Sequence, residues 1–413
     1  MGKTSYTDRP AKLIQEMRAL GHNVYQLCDQ EIDYKSVLKN IFLNLIPKTR
    51  SLKEMPVQYP PLMYGKYTRK IDKVLKKIHF QSLPHIKAPY PHSILNMFLL
   101  KKYLHDYVKR NKIDVVIFFI PQSGMIASSL KELNVPLVFD HEDPYTLYAQ
   151  KYTQDGSYKD TIEKYEKYCL EQADLIVTVG HEVYINELRE KTPKSKKIIS
   201  IHHGYDDVIF NPTLIKEETK KLLRKELQIE ERRDIIIYIG RLDAKIYRVD
   251  LIPYVAKCVI EKGKNPLFLI VGEGNYLNKL KEDIIRNNLE KNFLLIGHYI
   301  PQNDVAKYLA ISDVFLFLTI ENAHGPSLKI FEILAMNKPI IMTDMPDAYC
   351  YIQNGINGYF VSNEPYEIAD KICELLNKRR IVNNLFIQEF TWKKMAEKYI
   401  EEIIKVIEAQ DVA

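Results

Sequence analysis

Lys329 and Glu332 stand three residues apart, directly after Gly325-Pro326-Ser327 and after the apolar run Asp313-Val-Phe-Leu-Phe-Leu318. At that spacing they share one helical face, one turn into a helix that starts at a Gly-Pro turn. The turn would sit between the carboxyl end of a strand and a helix N-terminus, where backbone N–H groups and the helix dipole favour anions. A lysine there can face a phosphate and a glutamate can accept from sugar hydroxyls; the plain alternative is a Lys–Glu pair on the surface of an ordinary helix. Arg241 closes a second apolar run, Ile235-Ile-Ile-Tyr-Ile-Gly240, where a guanidinium can grip phosphate oxygens or merely bridge to a carboxylate. A third cluster, Phe139-Asp140-His141-Glu142-Asp143-Pro144, gathers titratable groups behind another apolar run. His202 and His203 lack a third partner at metal-site spacing, so no metal site is read there.

These groups need a scaffold of parallel strands. Ile113–Ile120, Val135–Phe139, Asp174–Val179, Lys197–His202, Ile235–Ile239, Leu267–Val271, Phe293–Ile296 and Asp313–Leu318 are continuous rather than alternating apolar runs, separated by helical segments. Such runs mark strands covered on both faces. Helical periodicity begins at Thr7-Asp8-Arg9-Pro10 and runs through Leu13, Ile14, Met17 and Leu20 to Gly21, with a strand expected over 22–27. The polar stretch 213–233 reads as linker plus helix, and Phe390-Thr391-Trp392 opens a last helix to about Ala409.

At 413 residues the chain is long enough for two domains, and 46% hydrophobic with 27% charged residues excludes a disordered or fibrous chain. No run reaches the roughly 18 apolar residues of a membrane span, and no cleavable leader is read. Five scattered cysteines without a C-x-x-C fit reduced thiols of a cytoplasmic protein. The net charge of +6 is uneven: residues 1–120 hold 21 Lys and Arg against 9 Asp and Glu, a net +12 that leaves −6 on the rest. A basic part suits nucleic acid, an anionic membrane surface or a phosphorylated acceptor. No nucleic-acid-reading motif accompanies it, so nucleic acid is set aside. The segment 64–80 mixes Lys and Arg with aromatic and apolar residues, as interfacial helices do; its alternative is a solvated basic face.

Together, Ile239-Gly240-Arg241-Leu242, Val271-Gly272-Glu273-Gly274, Gly297-His298-Tyr299-Ile300-Pro301, Ser312-Asp313-Val314-Phe315 and Lys329-x-x-Glu332-x-x-Ala335-Met336-x-Lys338-Pro339 follow one order and spacing. In this the chain resembles the retaining glycosyltransferases of family 4, over nearly its whole length. The resemblance implies an α/β chain of the GT-B fold, with two Rossmann-like doubly wound parallel-sheet domains facing across a cleft. Residues 1–212 would form the acceptor-binding domain, 213–389 the nucleotide-sugar-binding domain, and 390–413 a helix crossing back. The strand and glycine-rich loop with which such enzymes begin are not seen before residue 9, which implies an unusual N-terminus.

The implied activity is transfer of a sugar from a nucleotide-sugar donor to a glycan or lipid-linked acceptor with retention, assisted by the leaving phosphate and with no obligatory metal or other cofactor. The donor would be held by Gly240, Arg241, Lys245, Tyr299, Gly325, Pro326, Ser327, Leu328, Lys329 and Glu332. His141, then Asp143, would serve the reacting centre. Three departures stand out. Lys245 takes the place of a family lysine at altered spacing, with Arg248 as second choice. His324 stands where the first glutamate of a Glu-x7-Glu pair is usual, either as a catalytic group, as the mark of a different sugar or as an acceptor-side group, or with Glu321 as substitute. His203 replaces an asparagine in the exit His203-Gly204-x-Asp206. Two other readings compete, a sugar-nucleotide epimerase of the same fold and a non-catalytic protein that binds a partner. A nicotinamide enzyme is disfavoured because Gly272-Glu-Gly274 lacks its third glycine. The basic N-terminal part implies contact with the inner face of the cell membrane.

Overall fold

A computed structural model describes residues 9–24, 94–119, 127–142, 156–180, 182–320, 327–378 and 384–411, with positions 121, 124, 145, 146, 149 and 382 between them. The basic segment 64–80 lies outside these residues, as do Asp143, Glu321, His324, Gly325 and Pro326. Of the strand expected over 22–27, residues 22–24 carry no regular structure and the rest is not described. The chain divides into two compact units: one takes residues to Glu16, Val179–Asn186 and Ser200–Lys398, the other Met17–Thr178, Glu187–Ile199 and Tyr399–Ala413.

The second of these units carries β1 (Val116–Phe118), β2 (Leu137–His141), β3 (Leu175–Thr178) and nearly all of β4 (Lys197–Ser200), in the order β1-β2-β3-β4. β1 with β2 and β2 with β3 pair in parallel, His141 standing opposite Thr178. Helices α1 (Arg9–Ala19), α2 (Ile94–Asn111), α3 (Gly156–Gln172) and α4 (Glu182–Lys191) accompany these strands along the chain.

The larger unit is a six-stranded sheet of β5 (Ile235–Ile239), β6 (Leu267–Val271), β7 (Phe293–Ile296), β8 (Val314–Phe317), β9 (Ile340–Thr343) and β10 (Gly358–Val361). Its order is β10-β9-β8-β5-β6-β7, every pairing parallel. The strands alternate between two cores. Ile235, Ile237, Ile239, Leu269 and Phe315 meet Ile330, Phe331 and Leu334 of α9 (Leu328–Ala335) on one face. Ile236, Tyr238, Phe268 and Ile270 meet α6 (Ile252–Glu261) and α10 (Pro365–Lys378) on the other. Double-sided burial is why these strands read as unbroken apolar runs. Between them come α5 (Glu217–Glu226), α7 (Leu277–Arg286) and α8 (Gln302–Ile311), and α11 (Trp392–Asp411) ends the described chain.

Candidate functional site

Successive connections run one way from β5 to β6 and β7 and the other way from β8 to β9 and β10, so the sheet reverses between β5 and β8. In open parallel sheets such a switch point opens a crevice at the carboxyl ends of the strands. Arg241 follows β5 and α9 follows β8, so the two halves of the sequence signal meet at this one place. The loops there are tied together. Arg248 N–H donates to Leu318 O (3.0 Å) and Ile320 N–H to Ile246 O (2.8 Å), around an antiparallel bridge between Tyr247 and Thr319. Gly240 N–H donates to Val271 O (3.0 Å) and Leu242 N–H to Glu273 O (2.9 Å), which fixes the Arg241 turn against the Gly272-Glu-Gly274 turn.

Ser327 caps α9, its hydroxyl accepting from Lys329 N–H at 3.3 Å. One turn on, the Glu332 carboxylate is only 1% exposed and accepts from Lys329 Nζ (2.7 Å) and Gln302 Nε2 (3.0 Å). It is therefore not half of a solvent-exposed ion pair; the helix turns it inward beside Phe331. A carboxylate offers about four lone-pair positions, so these two donors leave acceptor capacity. Gln302, the first residue of α8, was not anticipated from the sequence. Its place at a helix start after β7, on the strand-end edge that carries Glu332, is the signal that could have shown it.

Arg241 is half exposed, its Nε 3.7 Å from buried Asp243, and Tyr238 Oη donates to its carbonyl (2.7 Å). Lys245 is exposed, with its N–H bonded to Asp243 Oδ1 (2.6 Å). Arg248, the second choice for a phosphate cation, instead clasps Asp250 at 3.0 and 3.3 Å. Gly240 directly follows β5 and Leu328 opens α9, both at the same edge. Tyr299 lies between β7 and α8, 44% exposed, on a groove shared with Leu222, Leu223 and Asp304.

In the other unit, His141 is the last residue of β2 and 1% exposed. Its Nε2 lies 2.7 Å from Glu166 Oε1 of α3, and Thr146 Oγ1 donates to Glu166 Oε2 at 2.7 Å. The imidazole is held edge-on between Phe139 (5.2 Å) and Tyr145 (5.3 Å between centroids), and Tyr145 Oη donates to Phe119 O. Burial pushes the Glu166 carboxyl up, but the His141 contact and the Thr146 hydroxyl outweigh it and hold the group below its ordinary range. Glu166 and Thr146 were missed in the sequence. A glutamate inside the apolar stripe Ile162, Tyr165, Cys169, Leu170 of α3 was the available signal.

His202 and His203 face apart chemically. Tyr351 Oη lies 2.5 Å from His202 Nδ1. His203 packs edge-on to Phe331 and Trp392, its Nδ1 has no hydrogen-bond partner among the described residues, and burial drives its pKa well below the ordinary value. A histidine with a depressed folded pKa gives its full stability above the unfolded value of about 6.5; that stability is lost as the unfolded chain takes up the proton at lower pH. Urea unfolding of the protein should therefore weaken by about 1.4 kcal/mol more between pH 7.5 and 5.5 than unfolding of His203→Asn. Identical pH slopes for the two would contradict a buried neutral His203.

Residues 219–405 match the family described as glycosyl transferases group 1. A poly(ribitol-phosphate) α-N-acetylglucosaminyltransferase of Staphylococcus aureus is 30% identical over 186 residues, 44% of this chain and 35% of that one. An uncharacterized glycosyltransferase of Methanocaldococcus jannaschii is 29% identical over 280 residues, 63% of this chain and 61% of its own. The chain thus spans between about a third and three fifths of the length of these relatives. Among solved structures, a sucrose-phosphate synthase from Thermosynechococcus elongatus superposes with TM-score 0.64 at 17% identity, over 80% of this chain and 82% of that one. The two parallel sheets are thus those of the GT-B fold, and across residues 219–405 the chain is similar to the glycosyl transferases group 1.

Proposed function

We propose that this protein is a glycosyltransferase that moves a hexose from a nucleotide-sugar donor to a glycan or lipid-linked acceptor with retention of configuration, without an obligatory metal. What supports this reading is the topology: Arg241 follows β5, and Ser327, Lys329 and Glu332 lie at the start of the helix that follows its neighbour β8, at the switch point of a sheet within the residues similar to the glycosyl transferases group 1. Arg241 and Lys245, and the α9 N-terminus, supply positive charge for the departing diphosphate. Glu332, oriented by Gln302 and Lys329, accepts from the ribose hydroxyls. His141 serves the reacting centre by hydrogen-bonding the sugar or the attacking hydroxyl, and its rigid setting suits positioning.

The acceptor is read as anionic or held at an anionic surface, because residues 1–120 carry a net +12. The name of the Staphylococcus relative, with its phosphate polymer, agrees with that chemistry. UDP-, GDP- and ADP-hexoses should be screened against polyol-phosphate glycans, neutral glycans and lipid-linked acceptors in anionic vesicles. Transfer to a phosphate-bearing or vesicle-held acceptor that falls with salt is expected. Transfer only to neutral glycans would refute the acceptor reading, and epimerised donor without acceptor would refute the transferase.

A further inference from the structure

We propose that Asp243 is the positioning residue for the two cations of the donor site, its buried carboxylate fixing where Arg241 and Lys245 meet the diphosphate. This rests on the reading of Arg241 and Lys245 given above. Asp243 sits in the turn that follows β5, its side chain 2% exposed, with a partner on each oxygen. Oδ1 accepts from Lys245 N–H at 2.6 Å, and Oδ2 lies 3.7 Å from Arg241 Nε, a close ion pair rather than a hydrogen bond. Both partners belong to the residues read as phosphate-facing. The backbone between them is held as well. The Arg241 carbonyl accepts from Tyr238 Oη (2.7 Å) and Asp243 N–H (3.1 Å). Leu242 N–H donates to Glu273 O (2.9 Å), and Leu242 O accepts from Tyr276 N–H (3.1 Å). The half-exposed Arg241 side chain therefore grows from a fixed root.

A buried carboxylate is costly unless charge and hydrogen bonds offset it. As a bare charge it also works against the site, because it repels the diphosphate that Arg241 attracts. Charge and orientation therefore predict opposite signs. If only the charge mattered, neutralising Asp243 would tighten nucleotide binding. If Asp243 orients the cations, neutralising it frees the guanidinium among its rotamers, and the cost of ordering that long side chain then falls on binding. The geometry favours orientation. The carboxylate is itself anchored to the Lys245 backbone, and a guanidinium grips phosphate through a planar fork that must be aimed.

Asp243→Asn is nearly isosteric: Oδ1 can still accept from Lys245 N–H, while Nδ2 presents donors to a guanidinium that has only donors. It should raise the UDP Kd of the full-length protein roughly 5- to 20-fold, the size of a direct side-chain coupling, and leave uridine affinity unchanged, since uridine carries no phosphate. GDP with guanosine, or ADP with adenosine, replaces this pair if the wild type takes that base. Asp243→Ser, whose hydroxyl can accept in the same turn, is the second variant and should show the same split. The control is a double-mutant cycle with Arg241→Ala. With the guanidinium gone, only repulsion is left for Asp243→Asn to relieve, so there it should tighten UDP binding or leave it unchanged. Tighter or unchanged UDP binding in Asp243→Asn alone, equal loss of uridine and UDP, or the same weakening in both backgrounds would overturn the proposal. Unchanged UDP affinity in Arg241→Ala would instead refute the reading of Arg241 on which it rests.

Discussion

His141→Ala should cut turnover by about 10²-fold or more while leaving UDP affinity close to that of the wild type. The imidazole ends β2, 2.7 Å from Glu166 and clamped by two aromatic rings, so its orientation is set before any substrate binds. Preset orientation is what lets one hydrogen bond act in the transition state rather than in the ground state. Nucleotide contacts are assigned to the six-stranded sheet, so donor affinity should survive. Removing the ring leaves Glu166 buried without that partner, so thermal unfolding must confirm that the variant is folded at the assay temperature. Full turnover in a folded variant would remove His141 from the reaction.

Gly272→Ala should destabilise the larger unit by more than about 3 kcal/mol and abolish nucleotide binding with it. A Cβ at Gly272 would lie 1.9 Å from the carbonyl oxygen of Gly240, and the residue has φ +141°, outside the range of side-chain-bearing residues. The obstacle is backbone rather than a movable side chain, and it is the same backbone that presents Arg241. Gly263→Ala is the matched control: φ is +79° but no atom lies within 4 Å, so only backbone strain of about 1 kcal/mol is expected. Urea unfolding separates the two. Equal midpoints for both variants would mean that the close approach of Gly272 to Gly240 does not matter to the fold.

The strands around the site were legible in the sequence because each is buried on both faces, and α9 because Ile330, Phe331, Ile333 and Leu334 keep helical spacing. β10 escaped: Gly358-Tyr-Phe-Val is only four residues, opens on glycine, and pairs with Ile340 from across a loop. The proximity of Lys329 and Glu332 was readable because three residues along a helix is a contact. The carboxylate's burial was not, since it depends on what packs over that face. Gln302 and Glu332 are 30 residues apart, and His141 and Glu166 are 25 apart, on different elements. Partnerships of that kind arise from the packing of α8 against the sheet edge and of α3 against β2, which no local pattern encodes. His203 shows the converse. Its departure from the family's asparagine was visible, while its orphaned Nδ1 required the aromatic surroundings of Phe331 and Trp392.

Calorimetric titration of UDP, with GDP and ADP alongside, into the full-length protein and into Arg241→Ala, Lys245→Ala and Glu332→Ala tests most directly whether the β5/β8 switch point holds the donor. One nucleotide should bind the wild type, and Glu332→Ala should lose about 1–3 kcal/mol, roughly 5- to 150-fold in Kd, as expected when a buried acceptor is removed from its donors. The two cation variants should weaken binding in a salt-dependent manner. Unchanged affinity in all three variants, or no binding of any nucleotide to the folded wild type, would contradict the account.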